Sequence, residues 1–381
     1  MSEPLPCIFA WRGLSTDVNG SIRPCCRYAQ PEEQDQYSMP WMKDGFIGDL
    51  FNGKQLVKLR EALLRGEKVP ECKSCWIEEA AGNRSYRQHN NDFFVTMYDE
   101  TFDINQLNSN VPVYLDLKLS NVCNLMCRMC SPQASSMIQK ESERLNPSFK
   151  GDPYWKASKI VGTSNEDDFV QWLPYIKAIT ITGGDPFVGK ENKDIIQLIC
   201  DRGYANCIDV HFNTNGMLMP TGYLDLLTNF KKVSIAFSID DIGDRLSYQR
   251  HGADQKTFEE NWNKVPSSMR KHIYITVNNY NVWYLLESFS YFKSLTNYIS
   301  YDFVHDPAYL NISHLNSRVK DLIIKKYTNA GNCFWTKLIN FIQIESDDLT
   351  ADFINHAIRV DKTRNEDFFK VFPEWASVLL A

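Results

Sequence analysis

The 381-residue sequence has no apolar run approaching the length of a membrane span, which excludes a transmembrane helix. Its opening residues, MSEPLPCIFAW, lack the basic and apolar regions of a secretory leader. There is no basic excess either. The formal net charge is −6, and no basic tract stands out, which argues against nucleic acid as a partner. No internal repeat and no low-complexity tract occurs. The seven histidines are scattered, and none pairs at metal-ligand spacing. These absences lead to the expectation of a cytoplasmic protein with no membrane contact. In that reducing setting the eleven cysteines suggest metal more than disulfides.

What is present is clustered. SNVCNLMCRMCSP, at Ser120 to Pro132, spaces Cys123, Cys127 and Cys130 as C-x3-C-x2-C and supplies no fourth thiol. A structural zinc site closes a tetrahedron with four ligands, and an ordinary [4Fe–4S] cluster also takes four cysteines. Three ligands in one short loop leave a metal position open for a small molecule. A zinc site completed by a distant residue is the alternative.

The loop follows the first of six short strand-like runs: 113–120, 176–184, 208–216, 232–240, 272–279 and 300–306. Helix-length connections separate them, as in a parallel α/β sheet or partial barrel. Polar residues two apart mark the C-terminal ends of four runs: Thr180 and Thr182, Asn213 and Asn215, Ser238 and Asp240, Thr276 and Asn278. A spacing of two puts each pair on one face of its strand. In a barrel of parallel strands the C-terminal rim is where sites are built. Four pairs there, where a barrel interior favours branched apolar residues, argue against simple loop-proximal polarity.

With this loop and this strand pattern, the sequence resembles the radical S-adenosylmethionine (radical SAM) superfamily. The resemblance implies an enzyme on a partial (β/α)6 TIM-like barrel, an α/β fold. Cys123, Cys127 and Cys130 would bind three irons of a [4Fe–4S] cluster, and SAM the fourth. Reductive cleavage would give a 5′-deoxyadenosyl radical that abstracts a substrate hydrogen. Met129 stands where the family commonly has an aromatic residue near the adenine. Gly183, Gly184 and Asp185 in TITGGDPF are similar to the family's GGE motif, whose backbone meets the methionyl amine, with Asp in place of Glu. Asn213, Asn215, Ser238, Asp240 and Arg250 match positions that contact SAM in relatives, and Asn278 would meet its adenine or ribose. His305 could face the cavity or be a structural histidine. Cys200, Cys207 and Cys333 read as isolated buried hydrophobes.

A second set of cysteines lies near the N-terminus: Cys7, then Gly20-x4-Cys25, then Cys72 and Cys75 in PECKSCW. Four thiols from three places suit a metal that ties a small domain together, and zinc and [4Fe–4S] both fit on spacing alone. The pattern is similar to the SPASM/twitch auxiliary-cluster domains, here placed before the barrel. Cys25 is preferred over Cys26 because it holds the glycine spacing. This implies a second [4Fe–4S] cluster. The expected organisation is an auxiliary domain at 1–95, a linker at 96–110, the barrel at 111–310 and a helical extension at 311–381. GKQLVKLREALLRGE reads as an amphipathic helix with Leu56, Leu59, Leu63 and Leu64 on one stripe. The family suggests a peptide or protein side chain as substrate, or alternatively a sugar or nucleoside derivative, with an electron donor such as a flavodoxin or ferredoxin. A non-catalytic metal scaffold that does not bind SAM is the rival reading.

Overall fold

Alternation of apolar and polar residues decides the sheet. In the computed structural model, which describes residues 6–29, 39–40, 42–80, 82–98, 103–108, 110–146, 148, 159–331 and 333–380, all six strand-like runs form. We number the strands β1 (Gly13–Thr16), β2 (Ile22–Arg23), β3 (Tyr114–Lys118), β4 (Met126–Cys127), β5 (Ala178–Thr182), β6 (Asp209–Thr214), β7 (Lys232–Ser238), β8 (Arg250–His251), β9 (Arg270–Val277) and β10 (Ile299–Phe303). One sheet runs in the order β10-β9-β7-β6-β5-β3-β1-β2, parallel except for the β1–β2 pair. No helix is long and apolar enough to cross a membrane among the described residues.

The two faces of this sheet differ sharply. Leu115, Leu117, Ile179, Ile181, Phe212, Ile235 and Phe237 are all buried on one face. The crossover helices cover it, for example Lys190–Asp201, which buries Ile195, Ile196 and Ile199. The other face follows from the register: Asp116 is opposite Thr180, Thr180 opposite His211, and Lys118 opposite Thr182. Across β7 and β9, Asn213 aligns with Ala236, Ala236 with His272, and Ser238 with Tyr274. Nearly every inward position is polar, so the concave side is a lumen and not a packed barrel core.

The sheet is not closed, since β10 and β2 are its edges. Arg27, shortly after β2, reaches across the seam to Asp302 of β10 and to Glu78, 2.7 Å away. Two strands of the N-terminal region, β1 and β2, extend the barrel sheet. The anticipated amphipathic helix is Lys54–Leu64, with Leu56, Leu59 and Leu63 buried. Leu64 is 39 % exposed, because it lies about a quarter-turn off the stripe at the helix end. Arg60 is buried instead, donating to the carbonyls of Ala10, Leu107 and Phe51 at 2.7, 2.6 and 3.0 Å. A helix, Tyr86–Tyr98, runs into the expected linker at 96–110, of which 99–102 and 109 lie outside the described residues. The C-terminal helices include Ser317–Asn329, Thr350–Arg364 and Pro373–Leu380.

Candidate active site

The three-cysteine loop leaves the C-terminal end of β3 and is fastened on several sides. Its middle forms β4, which pairs with β8 so that Cys127 faces Arg250. The Arg250 guanidinium donates to Cys127 Sγ at 3.7 Å, and Asn215 Nδ2 to Cys123 Sγ at 3.8 Å. Arg250 is buried. Its position is set by Asp240, 2.7 Å from Nε. Asp240 also accepts the Thr276 N–H at 2.7 Å, so both its oxygens are engaged and its role is to aim Arg250. Met129 is half-buried and packed against the core.

The GGDP turn packs directly under this loop. Gly183 and Gly184 have φ of +82° and +53°. The Gly184 N–H donates to Ala134 O at 3.1 Å, and the Asp185 N–H to Val122 O at 2.9 Å. These N–H groups are therefore used within the chain, and an ammonium would meet the turn through carbonyls. Asp185 is buried, accepting from Thr214 Oγ1, the Asn215 N–H and the Phe187 N–H at 2.8, 2.7 and 3.0 Å. It ties the turn to the end of β6. Burial raises its carboxyl pKa, against the pull of these donors.

Other expected residues separate into lumen and scaffold. Asn213 and Ser238 are half-buried on the inner face, with Asn213 Oδ1 3.0 Å from His211 Nε2. His211 stacks on His272 at 5.3 Å, and burial lowers both pKa values, that of His272 to about 4. Asn278 is fully buried and closes a turn, bonding Tyr280 N at 2.8 Å and Thr276 O at 2.9 Å. Asn278→Ala is expected to cost about 1 kcal/mol of stability in a denaturant melt while SAM affinity stays unchanged. His305 is exposed, near Glu78 and Asp302, whose carboxylates are held by Arg27 and Lys337. Cys200 is half-buried and Cys207 is exposed, contrary to the expectation of buried thiols. The Cys333 side chain lies outside what is described.

At the N-terminus, Cys7, Cys25, Cys72 and Cys75 line one cavity with Phe9, Arg27, Tyr28 and Trp76. Cys26 is not part of its lining and lies instead beside Tyr86 and Asp116. Burial pushes the Cys7 and Cys127 thiols up to about 12 and Cys130 to about 11. Such thiols ionise when a metal replaces the proton. Among the described residues neither cysteine set brings three sulfurs within 4.8 Å of one another. One zinc ion would hold its sulfurs about 3.8 Å apart, so the donor sets fit a polynuclear cluster better than a zinc ion.

Comparison with known proteins agrees with these donor sets. A family described as the radical SAM superfamily matches residues 117–290, and an iron–sulfur cluster-binding domain, SPASM, matches residues 7–76. The chain carries a radical SAM domain. That domain brings a [4Fe–4S] cluster and SAM as cofactors, and the SPASM domain brings auxiliary iron–sulfur chemistry. Among solved structures, native anSMEcpe with bound AdoMet is 18 % identical over 57 % of this chain, with a TM-score of 0.41. Streptococcus suis SuiB bound to its precursor peptide SuiA is 13 % identical over 80 % of this chain, covering 64 % of its own, with a TM-score of 0.35. The chain spans 62 % of the length of anSMEcpe. No curated protein matches.

In this radical SAM chain the C-terminal helices brace the cysteine loop, a role the sequence pattern does not reveal. Arg128, between two of the cysteines, is fully buried with its guanidinium 3.6 Å over the Tyr248 ring. It reaches Asp361 at 2.6 Å, and also Glu366. Arg364 donates to Met126 O at 2.8 Å and pairs with Glu141 at 2.6 Å. Helix Thr350–Arg364 thus holds the loop from outside. The only sequence signal was the charged residue inside the motif. Arg128→Met removes the cation between Asp361 and Glu366, which keep Tyr248, the Phe368 N–H and His251 as partners, and is expected to cost about 1.5–3 kcal/mol. Iron retention during chelation checks the effect on the site: the barrel cluster should be lost faster than in wild type, and equal retention would count against the brace.

Proposed function

We propose that the chain reductively cleaves SAM and uses the resulting radical to remove hydrogen from a substrate held in the polar lumen. The observation that carries this is the open, three-thiol donor set at the rim of a lumen lined by polar side chains. When bound, the cluster and SAM supply a primary carbon radical by one-electron cleavage. The protein's part is binding, orientation and exclusion of water. Cys123, Cys127 and Cys130 would hold the cluster. Arg250 places positive charge beside Cys127. Asn215 orients the Cys123 side of the loop, and Asn213 and Ser238 offer polar contacts to SAM on the inner face.

The four N-terminal cysteines would close a second cluster. Arg27, paired with Glu78 and Asp302, spans the side of the sheet where that cluster meets the lumen. Polar inward positions favour a small polar substrate. A peptide side chain entering from the rim is the second reading, supported by the SPASM domain. Anaerobic reconstitution with iron and sulfide, followed by SAM and dithionite, is the test. Formation of 5′-deoxyadenosine is expected. Its absence from a protein carrying its full iron would overturn the proposal.

A further inference from the structure

Two side chains of opposite charge lie together on the lumen wall, and one carboxylate oxygen between them has no hydrogen-bond partner. Asp116 and Lys118 are alternate residues of β3, so both point inward, about 6–7 Å apart along the strand. Asp116 is 4 % exposed, yet its Oδ1 accepts no hydrogen bond. The Cys26 thiol and Thr182 hydroxyl approach the carboxylate and favour its charged form, yet neither satisfies Oδ1, and the Thr182 hydroxyl makes no hydrogen bond of normal geometry. An orphaned buried acceptor is destabilising, and a ligand donor would relieve it. The Lys118 ammonium lies near Asp17 and Asp116 but makes no hydrogen bond or ion pair among the described residues. Asp17 is already taken by Arg23 at 2.6 Å. Two further carboxylates near the rim are already held, Asp302 by Arg27 and Lys337 and Asp240 by Arg250.

We propose that Asp116 and Lys118 form a head-group subsite for a substrate carrying an α-ammonium and an α-carboxylate, a free amino acid or a small derivative of one. The ammonium would meet Asp116 Oδ1 and the carboxylate Lys118, with the Thr182 hydroxyl free to donate to the same carboxylate. The opposite signs select this class. A phosphorylated metabolite would satisfy Lys118 but set an anion against Asp116. A polyamine would do the reverse. A neutral sugar would bring no charge of its own to either side chain. The proposal rests on the lumen being the substrate chamber of this radical SAM protein.

SAM carries the same head group, so the test must separate the two. Calorimetry on the reconstituted holoenzyme would use pools of the twenty free amino acids. Any binder would then be offered as its N-acetyl form and its methyl ester. At least one amino acid should bind, and each capped form should bind about tenfold more weakly, the loss of one charge-assisted contact. Lys118→Met should abolish discrimination against the ester, and Asp116→Asn discrimination against the N-acetyl form. SAM affinity should stay within about twofold of wild type in both, well short of a full contact. No binding at millimolar concentration, or capped forms binding equally well, would overturn the subsite. Loss of SAM affinity in a variant with wild-type circular dichroism would assign the pair to SAM and also overturn it. Failure of the underlying reading shows separately, as a wild-type holoenzyme that makes no 5′-deoxyadenosine.

Discussion

Alanine at Cys123, Cys127 and Cys130 together abolishes 5′-deoxyadenosine formation and leaves about four irons and four sulfides per chain, the content of one [4Fe–4S] cluster. The first half follows from the donor count. Each thiol is one ligand of the rim site, and the Asn215 and Arg250 contacts to Cys123 and Cys127 cannot replace an iron–sulfur bond. The second half follows from separation. Cys7, Cys25, Cys72 and Cys75 line their own cavity, beyond the triple replacement. Metal analysis of the variant reads both. Residual SAM cleavage would sink the rim assignment. Stoichiometric zinc without iron would make the N-terminal site structural and would contradict its wide sulfur spacing.

The strands were legible because their alternation has a period of two and, outside β3 with its Leu115 and Leu117, their apolar halves are mostly β-branched or aromatic. ITIT in β5 and VHFNT in β6 announce both a buried and a polar face. The cysteines were legible because a short loop fixes their proximity whatever the fold does around them. What could not be read depends on contacts distant in sequence. Arg128 lies 233 residues from Asp361, and nothing local marks either as a partner. Arg60 occupies the flank of an apolar stripe, where its stem packs and its head finds three carbonyls from separate segments. The roles of Asp185, Asp240 and Asn278 followed the family pattern on the page of the sequence. In the structure each is consumed by hydrogen bonds to the chain itself. Asp116 and Lys118 sat within the first recognised strand, but only the register, and the unpartnered Asp116 oxygen, distinguishes them from ordinary strand residues.

Gly184→Val destroys the rim site by displacing the cysteine loop. The sequence alone explains this glycine by the approach of a ligand. The structure gives a different neighbour: a Cβ at Gly184 would lie 2.2 Å from Val122 O and 2.7 Å from the carbonyl carbon of Asn121. These are backbone atoms of the segment that leads into Cys123, so no side-chain rotation relieves the clash. The positive φ of +53° adds strain for a branched residue. The turn cannot retreat easily, because Asp185 anchors it to Thr214 and Asn215. The loop must move, and Cys123 moves with it. We therefore expect loss of both the rim cluster and SAM binding, with the N-terminal cluster retained. Gly184→Ala should show the same pattern in milder form. Iron content and SAM affinity measured on the same preparation decide the matter. A variant that keeps two clusters and loses only SAM would return the glycine to its ligand-facing role.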